Sequence, residues 1–596
     1  MKRFAFAALL IVSGCGSPQI NVPAPGFADL VVHHAKIITV DAKFTIAEAI
    51  AIRDGRIVAI GPDEEIFKWV ENGKTRVIDA EGHPVLPGLY DSHVHLLGAS
   101  ASEIAGPIPE FKTLDDAYAY IKKKAASTPE NDWIVVPYAF PTRLKEARFP
   151  TRAELDAADS RHPVFYHAGP SGVVNSKALQ VSEITKATAN PPGGIVVKDP
   201  ATGEPTGMLR GSPALALLKR VPSVDADDPP DARRDAVRKL LKLYNQHGIT
   251  SVADRNTSRE ALDWFLALQK EGQLTMRITI SPSFNPSGTR EQIAAKLDAM
   301  PGKDGRFGPT GVGDDWIRVG PIKLFLDGGM LNGSAYMREP WPKGPAYQVV
   351  DDDYHGLLFI PPDQLRVVLE EAAKRKWQMT AHTAGEGAMD VLLDAYDATD
   401  KKTPIRDLRW CITHANFPSQ RNLEICQRLG VVADVQPAWL WKDGTTMLQI
   451  LGEKRLRWFQ PYKTWLKYTT IGGGSDHMIC TDSIHSTNPW NPWLAMWVTL
   501  TRETEGGAAP NPEEQLDRKE AIRLYTINNA FLTFEEKIKG SIEPGKLADL
   551  VVLPDDIMTC PPKSIESMHV LMTIVGGKIV YQRDGFNPEH RSRSVH

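Results

Sequence analysis

Two histidines separated by a single residue, His93 and His95, are the strongest local signal for chemistry in the chain. They follow the apolar run Pro84–Leu89, which is typical of a buried strand. Because a strand directs alternate side chains to one face, both imidazoles would point at the same place. Two imidazoles on a strand end are good ligands for a divalent ion, zinc first among them. A pair of this kind also arises by chance, so the rest of the pattern decides its meaning.

Three further residues of metal-binding type stand at the ends of other predicted strands. They are His382, His414 and Asp476, the last of which follows the glycine run Gly472–Gly474. A single histidine at a strand end is usually a structural residue. Four histidines and one aspartate on four strand ends would converge if the strands close into a barrel, because catalytic residues gather at the carboxyl ends of barrel strands. The pattern therefore predicts a metal centre.

Strand-like and helix-like segments alternate through the middle of the chain. The predicted strands include Ile249–Val252, Gln378–His382, Trp410–His414 and Val431–Val435, and helical periodicity separates them. Alternation of this kind favours α/β architecture with a parallel sheet.

The two ends of the chain carry similar β-rich phrases. Ala28–Val32 recurs as Ala548–Val552, and Gly55–Val58 is echoed by Gly577–Val580. Short β-branched runs punctuated by glycine and aspartate indicate strands. We therefore predict one small β-domain assembled from residues 27–86 and 540–583, although two β-rich stretches can also be alike by chance.

The order of the candidate ligands, an HxH pair, two later histidines and an aspartate, resembles the amidohydrolase superfamily. Further phrases are similar to amidohydrolase family 3, the branch that includes N-substituted formamide deformylases: Pro150–Asp156, Val174–Leu179, Pro192–Ile195, Gly203–Gly207 and Gly540–Asp549. The resemblance covers nearly the whole mature chain. It implies a (β/α)8 TIM-like barrel in residues 87–539, a split β-sandwich built from both chain ends, and an inserted subdomain at approximately residues 100–230.

The resemblance also implies a role for Lys323, which occupies the place where this family carries a bridging lysine. Addition of CO2 to the neutral amine would give an anionic carbamate that bridges two divalent ions, expected to be Zn2+. One ion would be held by His93, His95 and Asp476, and the other by His382 and His414. The alternative is a single ion, with an unmodified lysine that binds a substrate carboxylate.

The implied function is a metal-dependent hydrolase that cleaves a non-peptide C–N bond, in an amide or an N-acyl or N-formyl amine, by a metal-activated hydroxide. Asp476 would accept the proton of the attacking water and return it to the leaving nitrogen. Two alternatives stay open: a single-metal deaminase or cyclic-amide hydrolase of the same superfamily, and a surface binding lipoprotein without activity.

Three residues near the ligands are candidates for substrate binding, namely Asp327, Trp439 and Trp441. Tryptophan walls would suit an apolar or aryl substituent, and packing in the core is an equally good interpretation. The chain departs from the family at Ala168–Gly172, where a histidine in an Asp-Gly-His phrase is usual. The departure removes no candidate ligand and predicts a change in substrate recognition.

The N-terminus reads as a bacterial export signal. A positively charged start is followed by the short apolar run Phe4–Val12, and the quartet Val12–Cys15 resembles a lipobox. We predict a signal segment at residues 1–15, lipidation of Cys15, a tether at 16–26, and anchoring to a membrane on the periplasmic or cell-surface side. An ordinary secretory peptide is the alternative.

Composition limits the partners. The 596 residues include 69 Lys+Arg and 73 Asp+Glu, for a net charge of −4, and we find no basic run that would follow a nucleic-acid backbone. Five cysteines cannot staple a chain of this size. We expect a small-molecule amide substrate, no nucleic acid and membrane contact through the lipid alone, with a homo-oligomer left open.

Overall fold

A computed structural model describes residues 26–104, 106–222, 229–302 and 304–588. The predicted lipid-anchor residue Cys15 lies outside the described residues. The strands are β1 (Leu30–His33), β2 (Lys36–Ile38), β3 (Ile46–Ala47), β4 (Ala49–Arg53), β5 (Arg56–Gly61), β6 (Arg76–Asp79), β7 (Pro84–Pro87), β8 (Leu89–Val94), β9 (Ile134–Val136), β10 (Val164–Ala168), β11 (Ser171–Val174), β12 (Ile195–Lys198), β13 (Pro205–Arg210), β14 (Ile249–Thr257), β15 (Arg277–Pro282), β16 (Ile317–Val319), β17 (Ile322–Phe325), β18 (Met379–Thr383), β19 (Cys411–His414), β20 (Val432–Val435), β21 (Ile471–Gly473), β22 (Leu550–Val552), β23 (Met572–Val575) and β24 (Lys578–Gln582).

The helices alternate with these strands through most of the chain. They are α1 (Asp63–Ile66), α2 (Leu96–Ala101), α3 (Leu114–Ala125), α4 (Arg152–Ala158), α5 (Ser176–Val181), α6 (Ser212–Leu215), α7 (Pro230–Gln246), α8 (Arg259–Lys270), α9 (Arg290–Ala299), α10 (Pro362–Lys374), α11 (Glu386–Asp400), α12 (Gln420–Leu429), α13 (Pro437–Leu456), α14 (Tyr462–Tyr468), α15 (Pro492–Thr501), α16 (Arg518–Leu524), α17 (Ile527–Leu532) and α18 (Pro562–Glu566).

Two sheets of parallel strands carry the middle of the chain. One has the order β16-β15-β14-β8 and the other the order β17-β18-β19-β20-β21. Single parallel bridges join Val94 to His477 and Ser283 to Lys323, so the two sheets touch at both sides. Helices α8, α10, α11 and α12 lie between consecutive strands. The predicted α/β alternation is confirmed, and the carboxyl ends of these strands meet at one edge.

The two chain ends meet in one sheet. Strands β24, β23, β22, β7, β2 and β3 form it in that order, and β22 runs antiparallel to β7, with Leu550 opposite Pro87 and Val552 opposite Val85. A second sheet, β5-β4-β1-β6, lies wholly within the N-terminal part. Buried apolar side chains from both ends share one core cluster, which includes Ile50 and Ile574. The repeated phrases seen in the sequence lie in different sheets, β1 and β5 in the second and β22 and β24 in the first, and their side chains share this core.

A separate sheet is inserted between β8 and β14. Its order is β12-β13-β11-β10-β9, and most of its pairs are antiparallel. The phrase Val174–Leu179 stabilises this sheet and the helix that follows it. The Asn175 side chain caps α5 by accepting from the Ala178 N–H, and it donates to the backbone carbonyls of Asp159 and His162. This inserted sheet has an apolar core cluster of its own.

Within the described ranges, no helix combines the length and the apolar character needed to span a bilayer. The cysteines in those ranges, Cys411, Cys426, Cys480 and Cys560, are free thiols.

Candidate metal centre

His93, His95 and Asp476 converge on one point. His93 lies in β8, His95 directly follows that strand, and Asp476 follows β21. The Nε2 atoms of the two histidines are 3.3 Å apart, and Asp476 Oδ1 lies 3.2 Å from His93 Nε2 and 3.3 Å from His95 Nε2. Ligand atoms about 2.0–2.1 Å from a tetrahedral zinc ion lie about 3.3 Å from one another. The donor set and its spacing therefore fit one divalent cation.

The backbone of Asp476 has an uncommon conformation that holds the side chain in this position. Its φ of 56° is in the left-handed region, which residues other than glycine adopt at a cost in energy. The Asp476 N–H donates to the His93 carbonyl at 2.8 Å, which ties the segment after β21 to the end of β8. Burial raises the pKa of the Asp476 carboxyl, and a hydrogen bond from His95 opposes that rise.

His382 and His414 face each other on neighbouring strands. His382 Nε2 lies 3.2 Å from the Gly328 carbonyl and His414 Nδ1 lies 2.7 Å from Gln436 Oε1, so each of these ring nitrogens carries the hydrogen. The opposite nitrogens, His382 Nδ1 and His414 Nε2, are therefore lone pairs only 2.8 Å apart. Burial lowers the pKa of both rings, which disfavours a shared proton. These two nitrogens are the donors that could together hold a second cation.

Lys323 lies in β17 and is 1% exposed. Its Nζ has no hydrogen-bond partner among the described residues. Burial lowers the pKa of the ammonium to about 8, although Asp434 and Asp476 partly stabilise the charge. A buried ammonium without a bonded partner is costly, whereas the neutral amine is the form that reacts with CO2.

The model of the amidohydrolase family matches residues 76–581, which contain all six of these side chains. The chain belongs to the amidohydrolase family. It is therefore a hydrolase with a candidate site for a divalent metal.

Two curated relatives show how far this similarity extends. N-substituted formamide deformylase from Arthrobacter pascens is 27% identical over 573 residues, 94% of this amidohydrolase and 99% of the relative. Protein LONG AFTER FAR-RED 3 from Arabidopsis thaliana is 26% identical over 94% of this chain and 93% of its own. Among solved structures, a metal-dependent hydrolase from Pyrococcus horikoshii matches with a TM-score of 0.63 at 22% identity, covering 90% of this chain and 99% of that one. This last likeness supports the fold.

A buried polar network behind the histidines was not predicted from the sequence. Asp434, in β20, lies 3.5 Å from His93 Nδ1 and accepts hydrogen bonds from Arg255 Nη2 at 3.0 Å and Gln436 Nε2 at 3.0 Å. Gln436 in turn orients His414. Partners of this kind fix the ring orientation of metal-ligating histidines. The one available signal was an aspartate within an otherwise apolar strand.

Asn488 was also missed. Its Nδ2 donates to the Asp476 carbonyl at 2.5 Å and lies 3.3 Å from Asp476 Oδ2, so it directs Oδ1 toward the histidines. Arg143, from the short 310 helix Pro141–Arg143 of the inserted region, contacts Asn488 and pairs with Asp443 at 3.0 Å. Arg143 of the inserted region therefore supports Asp476, the catalytic candidate of this amidohydrolase, by way of Asn488.

A cavity of about 720 Å³ opens over the candidate ligands. Trp439 lines it, with its indole stacked on His414 at 4.6 Å. Asp327 lines it too, but its carboxylate accepts backbone N–H groups from Ala384 and Gly385, and one oxygen lies 3.7 Å from His382 Nε2. With these contacts, Asp327 is placed to position His382 rather than to bind substrate.

The third predicted substrate-binding residue, Trp441, is not among the described residues that line this cavity. Its ring instead lies 4.9 Å from the Lys442 ammonium. Trp439 and Trp441 are two positions apart on α13, so their side chains project in different directions around the helix.

Proposed function

We propose that this amidohydrolase cleaves a non-peptide C–N bond, in an amide or an N-acyl or N-formyl amine, at a centre of two divalent ions, with zinc the expected metal. The observation that carries the proposal is the pairing of two donor groups around Lys323: one of His93, His95 and Asp476, the other of His382 and His414. The formyl-amine substrate class is supported by the relative named N-substituted formamide deformylase.

Lys323 would hold the two ions together as a carbamate. Addition of CO2 forms a bond from Nζ to carbon and releases a proton to solvent, which leaves an anion with two oxygen ligands. This form accounts for a lysine that is 1% exposed and lacks a hydrogen-bond partner in the described part of the chain. Zinc bound in such a site polarises a carbonyl oxygen and lowers the pKa of bound water.

Asp476 would move the proton. Its Oδ1 lies among the ligand nitrogens, while Oδ2 keeps a lone pair beside the Asn488 N–H. The carboxylate can take a proton from the attacking water at Oδ2 and deliver it to the leaving nitrogen. The cavity then positions the substituents, with Trp439 as one apolar wall.

We also propose the finer domain organisation. The strands β8, β14, β15 and β17–β21 would close into one (β/α)8 barrel within residues 87–539, which the bridges Val94–His477 and Ser283–Lys323 support. The sheets of the chain ends, residues 27–86 and 540–583, would pack as a split β-sandwich. The inserted subdomain, at approximately 100–230, would cover the site.

Hydrolysis assays test the proposed reaction. We expect zinc-loaded protein to release formate from N-formyl amines and to leave simple dipeptides intact. Among the residues that line the cavity, the charged groups are the ligand set and Asp327, and the Asp327 carboxylate is already bonded to backbone N–H groups, so none is free for peptide termini. Products are measured by chromatography. His93→Asn should abolish turnover, while the matched control His485→Asn, at an exposed histidine, should not. Faster cleavage of dipeptides than of formamides would contradict the proposal.

We propose in addition that the chain is exported and anchored by lipid on Cys15, on the strength of the Val12–Cys15 quartet alone. In a bacterial host, Cys15→Ser should move the protein from the membrane fraction to the soluble exported fraction. Cell fractionation and immunoblotting measure this change. Ser17→Ala, two residues beyond, is the matched control and should stay with the membrane. A wild-type protein that is already soluble, with a mature N-terminus elsewhere, would refute the anchor.

A further inference from the structure

His167 is a polar side chain in the cavity wall whose ring neither forms a hydrogen bond within the described residues nor belongs to the candidate metal ligands. It lies in β10 of the inserted sheet and lines the cavity. Other polar residues of the wall are held in place: Asn332 donates to the Ala168 carbonyl at 3.0 Å and accepts from Ser334 at 2.5 Å. Neither ring nitrogen of His167 makes a hydrogen bond to any described residue.

The neighbours of His167 fix the orientation of its ring but give its nitrogens no hydrogen-bond partner. The imidazole packs edge-on against Tyr138 at 4.8 Å and Phe165 at 5.1 Å. Its neighbour across the antiparallel pair is Gly172, and the Phe165 ring occupies the space that a side chain there would fill, since a Cβ at Gly172 would lie 2.5 Å from Phe165 Cε2. The ring is therefore oriented by aromatic packing and left open on the side of the cavity.

The chemistry of this position favours an uncharged ligand group. Burial lowers the pKa of His167 to about 4, so the ring is neutral near pH 7 and offers one N–H donor and one lone pair. The cavity that His167 lines also has the apolar side chains of Phe140, Pro213, Leu215 and Phe359 in its wall, and Lys323 is its only Lys or Arg among the described residues. A carboxylate placed there would lose its hydration without gaining a cation.

We infer that His167 is a substrate-binding residue that hydrogen-bonds an uncharged hydroxyl, ether or carbonyl group on the apolar substituent of the substrate. The inference rests on the proposed function, because it names the substrate class of the same cavity. It predicts that this enzyme prefers neutral substituents carrying one hydrogen-bonding group over purely apolar ones. A buried polar group that gains a partner contributes roughly a tenfold change in affinity.

Binding of four probes tests the inference. N-benzylformamide and its three ring-hydroxylated isomers are titrated by calorimetry into zinc-loaded Asp476→Asn protein, in which turnover is expected to be slow. At least one isomer should bind about tenfold more tightly than N-benzylformamide. His167→Phe should remove this preference, and His167→Gln, which keeps a donor and an acceptor, should retain part of it. Thermal melting checks that both variants fold.

The outcomes separate this inference from the proposed reaction. Equal affinity for all four probes, no measurable binding of any of them, or a preference that persists in His167→Phe overturns the role of His167. If the preference depends on His167 but the wild-type protein hydrolyses none of the four formamides, the proposed reaction fails and the binding role stands.

Discussion

Lys323→Ala is expected to lose bound metal and turnover together. The carbamate proposed at this position would supply oxygen ligands to the metal centre, so its removal would leave both donor groups short of a ligand and would take away an anion that offsets the charge of the cations. Metal per chain should fall from near two to below one, and hydrolysis of a formamide should fall by at least a hundredfold. Elemental analysis after gel filtration and an activity assay on the same samples measure both quantities.

Chemical rescue distinguishes a bridging role from a structural one. Short carboxylic acids carry two oxygens and can enter the space left by the lysine side chain, so they should restore part of the metal and activity of Lys323→Ala. Lys539→Met is a matched control, because Lys539 is also buried but pairs with Glu535 at 3.0 Å. The control should cost stability in a thermal melt, keep its metal per folded chain, and show no response to carboxylic acids.

The single-ion alternative makes a different prediction for the wild-type protein. It requires about one metal per chain and an intact-protein mass without added CO2, measured under non-acidic conditions that preserve a carbamate. That result would refute the bridging role of Lys323, even if Lys323→Ala were inactive.

The positions of the four candidate histidines could be predicted because the signal is local. His93, His382 and His414 each lie in a strand that apolar periodicity marks, and parallel strands bring their carboxyl ends to one edge. The α/β alternation and the pairing of the chain ends follow from the same kind of signal. The strand limits differ by a few residues: β14 continues to Thr257, five residues beyond the predicted end.

The residues that support the ligands could not be predicted, because their partners are far apart in sequence. Arg255 and Asp434 are 179 positions apart, and Asn488 reaches Asp476 across a loop that no periodicity describes. A buried arginine is recognisable only when its carboxylate partner is known. The same limit applies to Trp439 and Trp441, since nothing in the sequence shows which of the two faces the cavity.

Asp476→Asn is expected to keep its fold and much of its metal while turnover falls by about a hundredfold or more, the scale seen when a positioned acid-base group is removed. Asparagine keeps an oxygen at the position of Oδ1, 3.2 Å from His93 Nε2, but it cannot carry a proton. Steady-state kinetics on a formamide, with metal analysis of the same sample, should show a loss in kcat that exceeds any change in KM.

The pH dependence gives a second readout of this role. Because the reaction needs the ionised carboxylate, the wild-type rate should fall at acidic pH as Asp476 becomes protonated, and Asp476→Asn should lack this acidic limb. His477 is the neighbouring candidate for proton transfer, but its ring nitrogens already contact Tyr244 Oη at 2.6 Å and the Cys480 carbonyl. If Asp476→Asn keeps its metal and hydrolyses formamides at nearly the wild-type rate, Asp476 does not carry the proton. In that case His477 would be the proton carrier, and His477→Gln should abolish turnover.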